Sequence, residues 1–155
     1  MRRSDREVRE DGQIVEIMNR CPVLHLGLRG EKAPYLLPVN FGMEPDGMTL
    51  YIHGAMTGTK YDLLARDNRA GFNMTLAGAL VLDTENHSCS MNYESVSGWG
   101  ILEEVTDEAG KHHALQMIMA HYHAGDMPFD TKPLPRTRIL RLRVRERTAK
   151  RRKQE

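Results

Sequence analysis

Residues 51–72 read YIHGAMTGTKYDLLARDNRAGF, and the succession of patterns in and around them sets the architecture. Met48, Leu50 and Ile52 alternate with Thr49, Tyr51 and His53, the period of two expected of a half-buried strand. Gly54, Ala55 and Gly58 then open a turn, and Thr57 or Thr59 is placed to cap a short helix with Leu63 and Leu64 on its apolar face. Lys60 falls in the first turn of that helix, where unpaired N–H groups already carry roughly +0.5 of an elementary charge. A cation there is misplaced unless an anion lies between the ammonium and the N–H groups, each hydrogen bond then being charge-assisted. The stretch suggests a phosphate site; a lysine pointing into water is the alternative. It is not GxxxxGK followed by Ser or Thr, because Tyr61 follows Lys60, and it is not GxGxxG.

On the N-terminal side, Ile14, Val15, Ile17 and Met18 make a short apolar helical stripe that Pro22 stops. Leu24, Leu26 and Leu28 alternate with His25, Gly30 to Ala33 turns, and Tyr35 to Gly42 continues as a second strand, so the pair reads as a hairpin. Pro38 cannot donate to a ladder, which confines it to an edge, a strand start or a bulge and leaves nearby backbone groups free to meet a ligand. On the C-terminal side, Gly71 to Leu76 is a strand, and 78–90 carries no clear signal. Ser90 to Val105 reads as a long strand bent at Gly98 and Gly100, and Asp107 to His123 as a helix. Residues 126–135, with three prolines, form a loop, and the last strand sets Leu140, Leu142 and Val144 against Arg141, Arg143, Arg145 and Arg147. About six strands with short turns and two or three helices suggest a small antiparallel barrel, mainly β, in a single domain spanning 1–155 with a basic tail from about residue 148.

Composition agrees with a globular protein: 155 residues, 40% hydrophobic and 28% charged. No apolar run approaches the roughly 20 residues of a membrane span, and the charged start MRRSDREVREDG has no apolar segment behind it, so a cytoplasmic protein is expected. Cys21 and Cys89 belong to no CxxC pair and read as buried or idle thiols. The net charge of +1 hides an asymmetry: from Arg136 onward ten Lys or Arg face two Glu, while the preceding residues hold 12 basic and 19 acidic groups.

PVNFG at 38–42, LYIHGAMTGTKYDLL at 50–64, DNRAGF at 67–72 and YESVSGWG at 93–100 follow the order and spacing of the pyridoxamine phosphate oxidase-like flavoproteins. Over roughly residues 5–145 the chain resembles their nitroimidazole-resistance (Nim) branch. The resemblance implies a six-stranded split β-barrel that forms a homodimer and holds FMN in a cleft between subunits. It places Thr59 and Lys60 at the FMN phosphate, Pro38, Val39 and Asn40 under the isoalloxazine ring, His53 and Gly54 on its other side, and Tyr93 and Ser95 near the phosphate end. Where relatives carry an arginine in YRS, this chain has Glu94. The implied activity is flavin-dependent reduction of nitroimidazole-like or other small acceptors, with His53 assisting proton transfer; the alternative is a non-catalytic flavin- or haem-binding protein.

Other candidates are weaker. His112, His113, His121 and His123 suggest a metal, but on one helix His112 and His123 lie about 16 Å apart and His121 and His123 point in nearly opposite directions, so no metal site is expected. The arginine row lacks interleaved aromatics to stack bases, which argues against nucleic-acid binding and for a charged edge. Trp99, between two glycines, reads as barrel packing.

Overall fold

The alternation read at 48–53 is realised as one strand of an antiparallel, eight-stranded sheet in the computed structural model, which describes residues 3–125, 127, 128, 132 and 134–153. The strands are β1 (Glu7–Val8), β2 (Leu24–Leu28), β3 (Tyr35–Val39), β4 (Gly42–Met43), β5 (Thr49–Gly54), β6 (Arg69–Asp83), β7 (Ser88–Val105) and β8 (Arg138–Arg152); the helices are α1 (Asp11–Arg20), α2 (Thr59–Leu64) and α3 (Glu108–His121). Six strands have five or more residues, the number expected, and β1 and β4 are two-residue pairings at the margins. Their order is β3-β2-β6-β7-β8-β5-β4, with β1 paired to β8. The two ends of this path, β3 and β4, follow one another in the chain. The sheet therefore curls until its edges are joined by residues 40 and 41 without pairing to each other, which is a split barrel.

One side of the curled sheet encloses the main core, where Leu24, Leu26, Leu50, Ile52, Met74, Leu102, Leu140 and Leu142 meet Ile17 and Met18 of α1. A second, smaller core lies outside the barrel, where α3 places Ala114 and Ile118 against Tyr51, Val105 and Ile139. Tyr51 is therefore buried although its alternation predicted a solvent-facing side; α3 covers that side. At Gly42 the backbone of α3 comes so close that an added Cβ would lie 2.3 Å from Ile118 N. The C-terminal end of α3 is pinned beside the split: Tyr122 Oη donates to Pro22 O (2.8 Å) and accepts from Phe41 N (3.3 Å), and His121 Nε2 donates to Cys21 O (2.9 Å).

Several expectations are corrected. Residues 78–90, which carry no clear signal in the sequence, are mostly strand: β6 and β7 run through them as a ribbon closed by the turn at 84–87. The basic tail is strand, because β8 continues to Arg152. Nor is β8 an edge, since β7 and β5 flank it. Its arginines do not keep one face. A register shift at Trp99/Gly100 leaves Arg145 without an opposite residue, so Arg141 and Arg143 face outward to Glu103, whereas Arg147 turns in to Asp46 O and Asp11. Trp99 is 40% exposed on the outer face rather than packed in the barrel. Parts of the expected loop at 126–135 (126, 129–131 and 133) lie outside the described residues. No helix among the described residues is long and apolar enough to cross a membrane.

Candidate functional site

β5 ends at Gly54, opposite Arg138 at the start of β8, and α2 begins five residues later. The first turn of α2 is not capped by Thr57 or Thr59 as expected: Gly58 is the N-cap and no side chain accepts from the turn. Lys60 reaches back over β5 because Gly54 has no side chain. A Cβ there would lie 2.5 Å from Lys60 Nζ and 2.7 Å from Tyr61 Oη, so these two polar atoms crowd the same small space.

Tyr61 is 7% exposed, and its buried hydroxyl has no hydrogen-bond partner among the described residues. Burial pushes its pKa up, with Glu104 adding to the rise against Arg138. Its ring carries two cations, Arg138 at 3.8 Å from the centroid and Lys60 Nζ at 4.9 Å. Arg138 forks the Glu104 carboxylate (2.8 and 2.5 Å) and donates to Met56 O (3.3 Å), which ties the 55–58 turn to the corner. Lys60 has its pKa lowered by burial and then by Arg138. The corner thus holds two cations, one carboxylate and one orphaned hydroxyl, a donor set suited to an anion with several acceptor oxygens.

The other predicted residues divide into two groups. His53 is exposed beside Gly54, opposite Ile139. Pro38 and Val39 lie on β3, the terminal strand, as the proline required, and Asn40 follows them. Since β4 pairs antiparallel to β5 with Gly42 opposite Tyr51, the chain from Asn40 back to Pro38 approaches the His53 end of β5. These residues gather at the split together with Gly54, Thr59 and Lys60. An open groove of about 500 Å³ adjoins Thr59, between α2 with the residues after it (Leu63, Arg66) and the β2–β3 turn with the start of β3 (Pro34, Tyr35).

Tyr93 and Ser95 are not brought to this corner. They lie opposite Arg152 and Lys150, whereas Gly54 lies opposite Arg138. Twelve or more residues of β8 separate the two levels, about 40 Å of strand. Both face the outside of the barrel. Glu94, between them, points inward and is 6% exposed, accepting from Arg20 (2.6 Å) and Arg151 (2.5 Å). Burial opposes its ionisation, but those two arginines hold its pKa below the ordinary value. Arg6 donates to Tyr93 Oη (3.4 Å), so a guanidinium stands on the outer face where Glu94 provides none.

Sequence reasoning missed Tyr61, Arg138 and Glu104. A signal existed for Arg138: it shares parity with Leu140 and Leu142, which put a charge in line with the apolar stripe. The histidines of α3 are dispersed, His113 bonding Glu44 (2.6 Å) and His121 packing on Phe41. No group of three or more potential ligands that could hold a metal is found among the described residues.

The family model for pyridoxamine 5'-phosphate oxidase matches residues 10–151. Among solved structures, a candidate 5-nitroimidazole antibiotic resistance protein from Bacteroides thetaiotaomicron is 28% identical over 93% of this chain and 85% of its own, with a TM-score of 0.82. The flavocytochrome Anf3 from Azotobacter vinelandii is 25% identical over 94% and 69% of the two chains, with a TM-score of 0.78. An FAD- and haem-binding protein from Mycobacterium smegmatis, at 20% identity, covers 96% of this chain and 74% of its own with a TM-score of 0.80, a likeness of fold. No curated protein sequence matches the chain.

Proposed function

Because the chain belongs to the pyridoxamine 5'-phosphate oxidase family, we propose that it binds FMN between two copies of itself and acts as a flavin-dependent oxidoreductase on small, electron-poor acceptors such as nitroimidazoles. The observation that carries this reading is the orphaned Tyr61 hydroxyl beside Lys60 and Arg138. A phosphate monoester has the acceptor oxygens that the hydroxyl lacks and the negative charge that two cations over one carboxylate call for. The acceptor class comes from the resemblance to the Bacteroides protein.

FMN supplies reversible two-electron chemistry when bound. Lys60 and Tyr61 hold its phosphate, and Arg138, kept in place by Glu104, screens the charge. Pro38, Val39 and Asn40 form the edge against which the ring lies, because the outer side of a terminal strand has backbone groups without a ladder partner. His53, exposed next to Gly54, gives or takes a proton at the acceptor. Tyr93 and Ser95 are too far along β7 to serve the same protomer's corner and join it from the second copy. Directly paired residues share a face, so Lys150 and Arg152 come with them and bring positive charge to the same cleft.

The visible spectrum of the freshly purified protein tests the cofactor: a flavin spectrum is expected, and a Soret band without flavin would sink the proposal. Lys60→Ala should weaken FMN binding by about 1.5–3 kcal/mol, the value of a hydrogen bond to a charged group. Reduced, FMN-loaded protein should be reoxidised by a nitroimidazole in the absence of oxygen, and more slowly in His53→Ala. Reoxidation by oxygen alone would remove the proposed activity and leave a flavin carrier.

A further inference from the structure

His121 and Tyr122 close α3 beside the split and hold the chain there from two sides. The His121 ring packs on the buried Phe41 ring with centroids 4.1 Å apart, and its Nε2 donates to Cys21 O (2.9 Å). Tyr122 Oη accepts from Phe41 N (3.3 Å) and donates to Pro22 O (2.8 Å). Phe41 N belongs to the peptide that joins Asn40 to Phe41. The end of α3 thus fixes the chain immediately after Pro38, Val39 and Asn40.

The same imidazole is the weak point of this clamp. A neutral ring that donates through Nε2 has a bare Nδ1, and that atom is buried without a hydrogen-bond partner among the described residues. A proton added there would be a buried cationic donor with no acceptor. The groups around it supply no counter-charge. Cys21 is buried, which pushes its thiol up to about 11 and keeps it neutral. The Tyr122 hydroxyl is engaged at both ends, and His123 opposes a second positive charge. Arg20 is turned to Glu16 and Glu94, and Glu44, just after β4, is taken by Tyr51 and His113. The last turn of a helix favours a cation, yet burial outweighs it and holds the His121 pKa below 6.5. The charged ring is satisfied only by turning out to water, which breaks the Cys21 bond and the Phe41 contact.

We propose that His121 is an acid-released latch: its protonation frees the end of α3 and with it the Asn40–Phe41 peptide, loosening the edge at 38–41. The proposal rests on the flavin reading above, which lays the cofactor ring against that edge, so acid lowers cofactor affinity. With the latched pKa below 6.5, opening becomes more favourable at pH 5.0 than at pH 7.5 by up to about 30-fold.

The test follows hydrogen exchange of the full chain by NMR at pH 7.5 and 5.0, corrected for intrinsic exchange, with an FMN titration at each pH. His121→Gln keeps a donor for Cys21 O and does not titrate. The Phe41 amide reads the latch; the Leu102 amide, bonded to Asn68 O in the sheet, reads global unfolding. In the parent, Phe41 protection should fall at least fivefold on acidification while Leu102 protection holds, and FMN affinity should fall at least twofold more than in His121→Gln. Groups that titrate in both proteins cancel in that comparison. Tyr122→Phe, which removes the bond from Phe41 N, should already expose Phe41 at pH 7.5. Equal acid responses in parent and His121→Gln, or a parallel fall at Phe41 and Leu102, overturn the proposal. If FMN binds but the two proteins respond alike, the latch is refuted and the flavin reading survives. If Phe41 opens with acid in the parent alone and FMN binds at neither pH, the latch is supported and the flavin reading fails.

Discussion

Replacing Gly54 by alanine inserts one methyl group into the proposed phosphate corner. The new carbon would lie 2.5 Å from Lys60 Nζ, 3.1 Å from Lys60 Cε and 2.7 Å from Tyr61 Oη. Ordinary contact begins near 3.5 Å, so about 1 Å of movement is demanded of one neighbour. Tyr61 is poorly placed to yield, being buried with Arg138 across its ring. The ammonium, at the end of a flexible stem, moves away, while the 2.7 Å contact with Tyr61 Oη is relieved only by a shift of the buried ring. Gly54 is not among the glycines with positive φ, so alanine meets no backbone strain and gains roughly 0.5–1 kcal/mol as the better strand residue, which offsets part of that cost. Folding should lose some stability to the Tyr61 contact, which a melting curve reads separately from FMN affinity. FMN binding should lose the charged hydrogen bond from Lys60, about 1.5–3 kcal/mol, or about 10- to 150-fold in Kd. Quenching of FMN fluorescence at fixed ionic strength reads the effect, with Lys60→Met and the double variant beside it. The two changes remove one contact and should not add. A Gly54→Ala protein that binds FMN within twofold of the parent, or two losses that sum, would show that the ammonium does not sit at the phosphate.

Tyr61→Phe deletes a buried hydroxyl that has no partner, so the apoprotein should melt higher while FMN affinity falls; a lower melting temperature would mean the hydroxyl is satisfied in the fold. His121 gives an acid dependence. Its Nε2 donates to Cys21 O, which leaves Nδ1 buried and without an acceptor for a second proton, and burial lowers its pKa from 6.5. The unfolded chain then binds more protons between the folded value and 6.5, so stability is full above about pH 6.5 and declines as pH falls below it. Urea denaturation at pH 7 and pH 5 should show a smaller loss for His121→Gln than for the parent. Subunit mixing tests the shared site: Lys60→Ala homodimers and Tyr93→Ala/Ser95→Ala homodimers should bind FMN weakly. A mixed dimer regains one intact site, and no recovery after exchange would place all contacts in one protomer.

The long β elements were legible because their alternation survives folding: β2 with β3, β5, and the bent β7 were all read close to their observed limits. Failures came where tertiary packing or a single extra residue overrode the pattern. Residues 78–90 gave no clear signal because Leu80 and Leu82 have no core to face, and apolar Val81 stands between them in place of the usual polar counterpart. Tyr51 was assigned to solvent because nothing local announces that α3 will cover it. The candidate site was half legible. Lys60 declared itself by charge at a helix start, but the partners of the proposed site come from Tyr61, read as an ordinary helix residue, and from Arg138, 78 positions away and only counted among the C-terminal basic residues. Spacing along the chain cannot reveal that the 93–95 segment and Lys60 belong to different ends of one protomer, because only the β7–β8 register separates them.

That register also explains the uneven distribution of charge. Before the shift at Trp99/Gly100, even-numbered residues of β8 face the core; after it, odd-numbered ones do. Arg147 and Arg151 are thereby turned inward, where Asp11 and Glu94 anchor α1 and the middle of β7. Lys150 and Arg152 are turned outward beside Ser95 and Tyr93. Had the register of Gly100 and Val144 run on unbroken, Thr148 would lie opposite Val96 and Lys150 opposite Glu94, and Ala149 and Arg151 would turn outward. A single unpaired position thus sets Arg147 and Arg151 on the inner face with Asp11 and Glu94, and Lys150 and Arg152 on the outer face with Ser95 and Tyr93. The proposed phosphate corner beside Arg138 and the outer-face strip beside Arg152 therefore lie at opposite ends of β8.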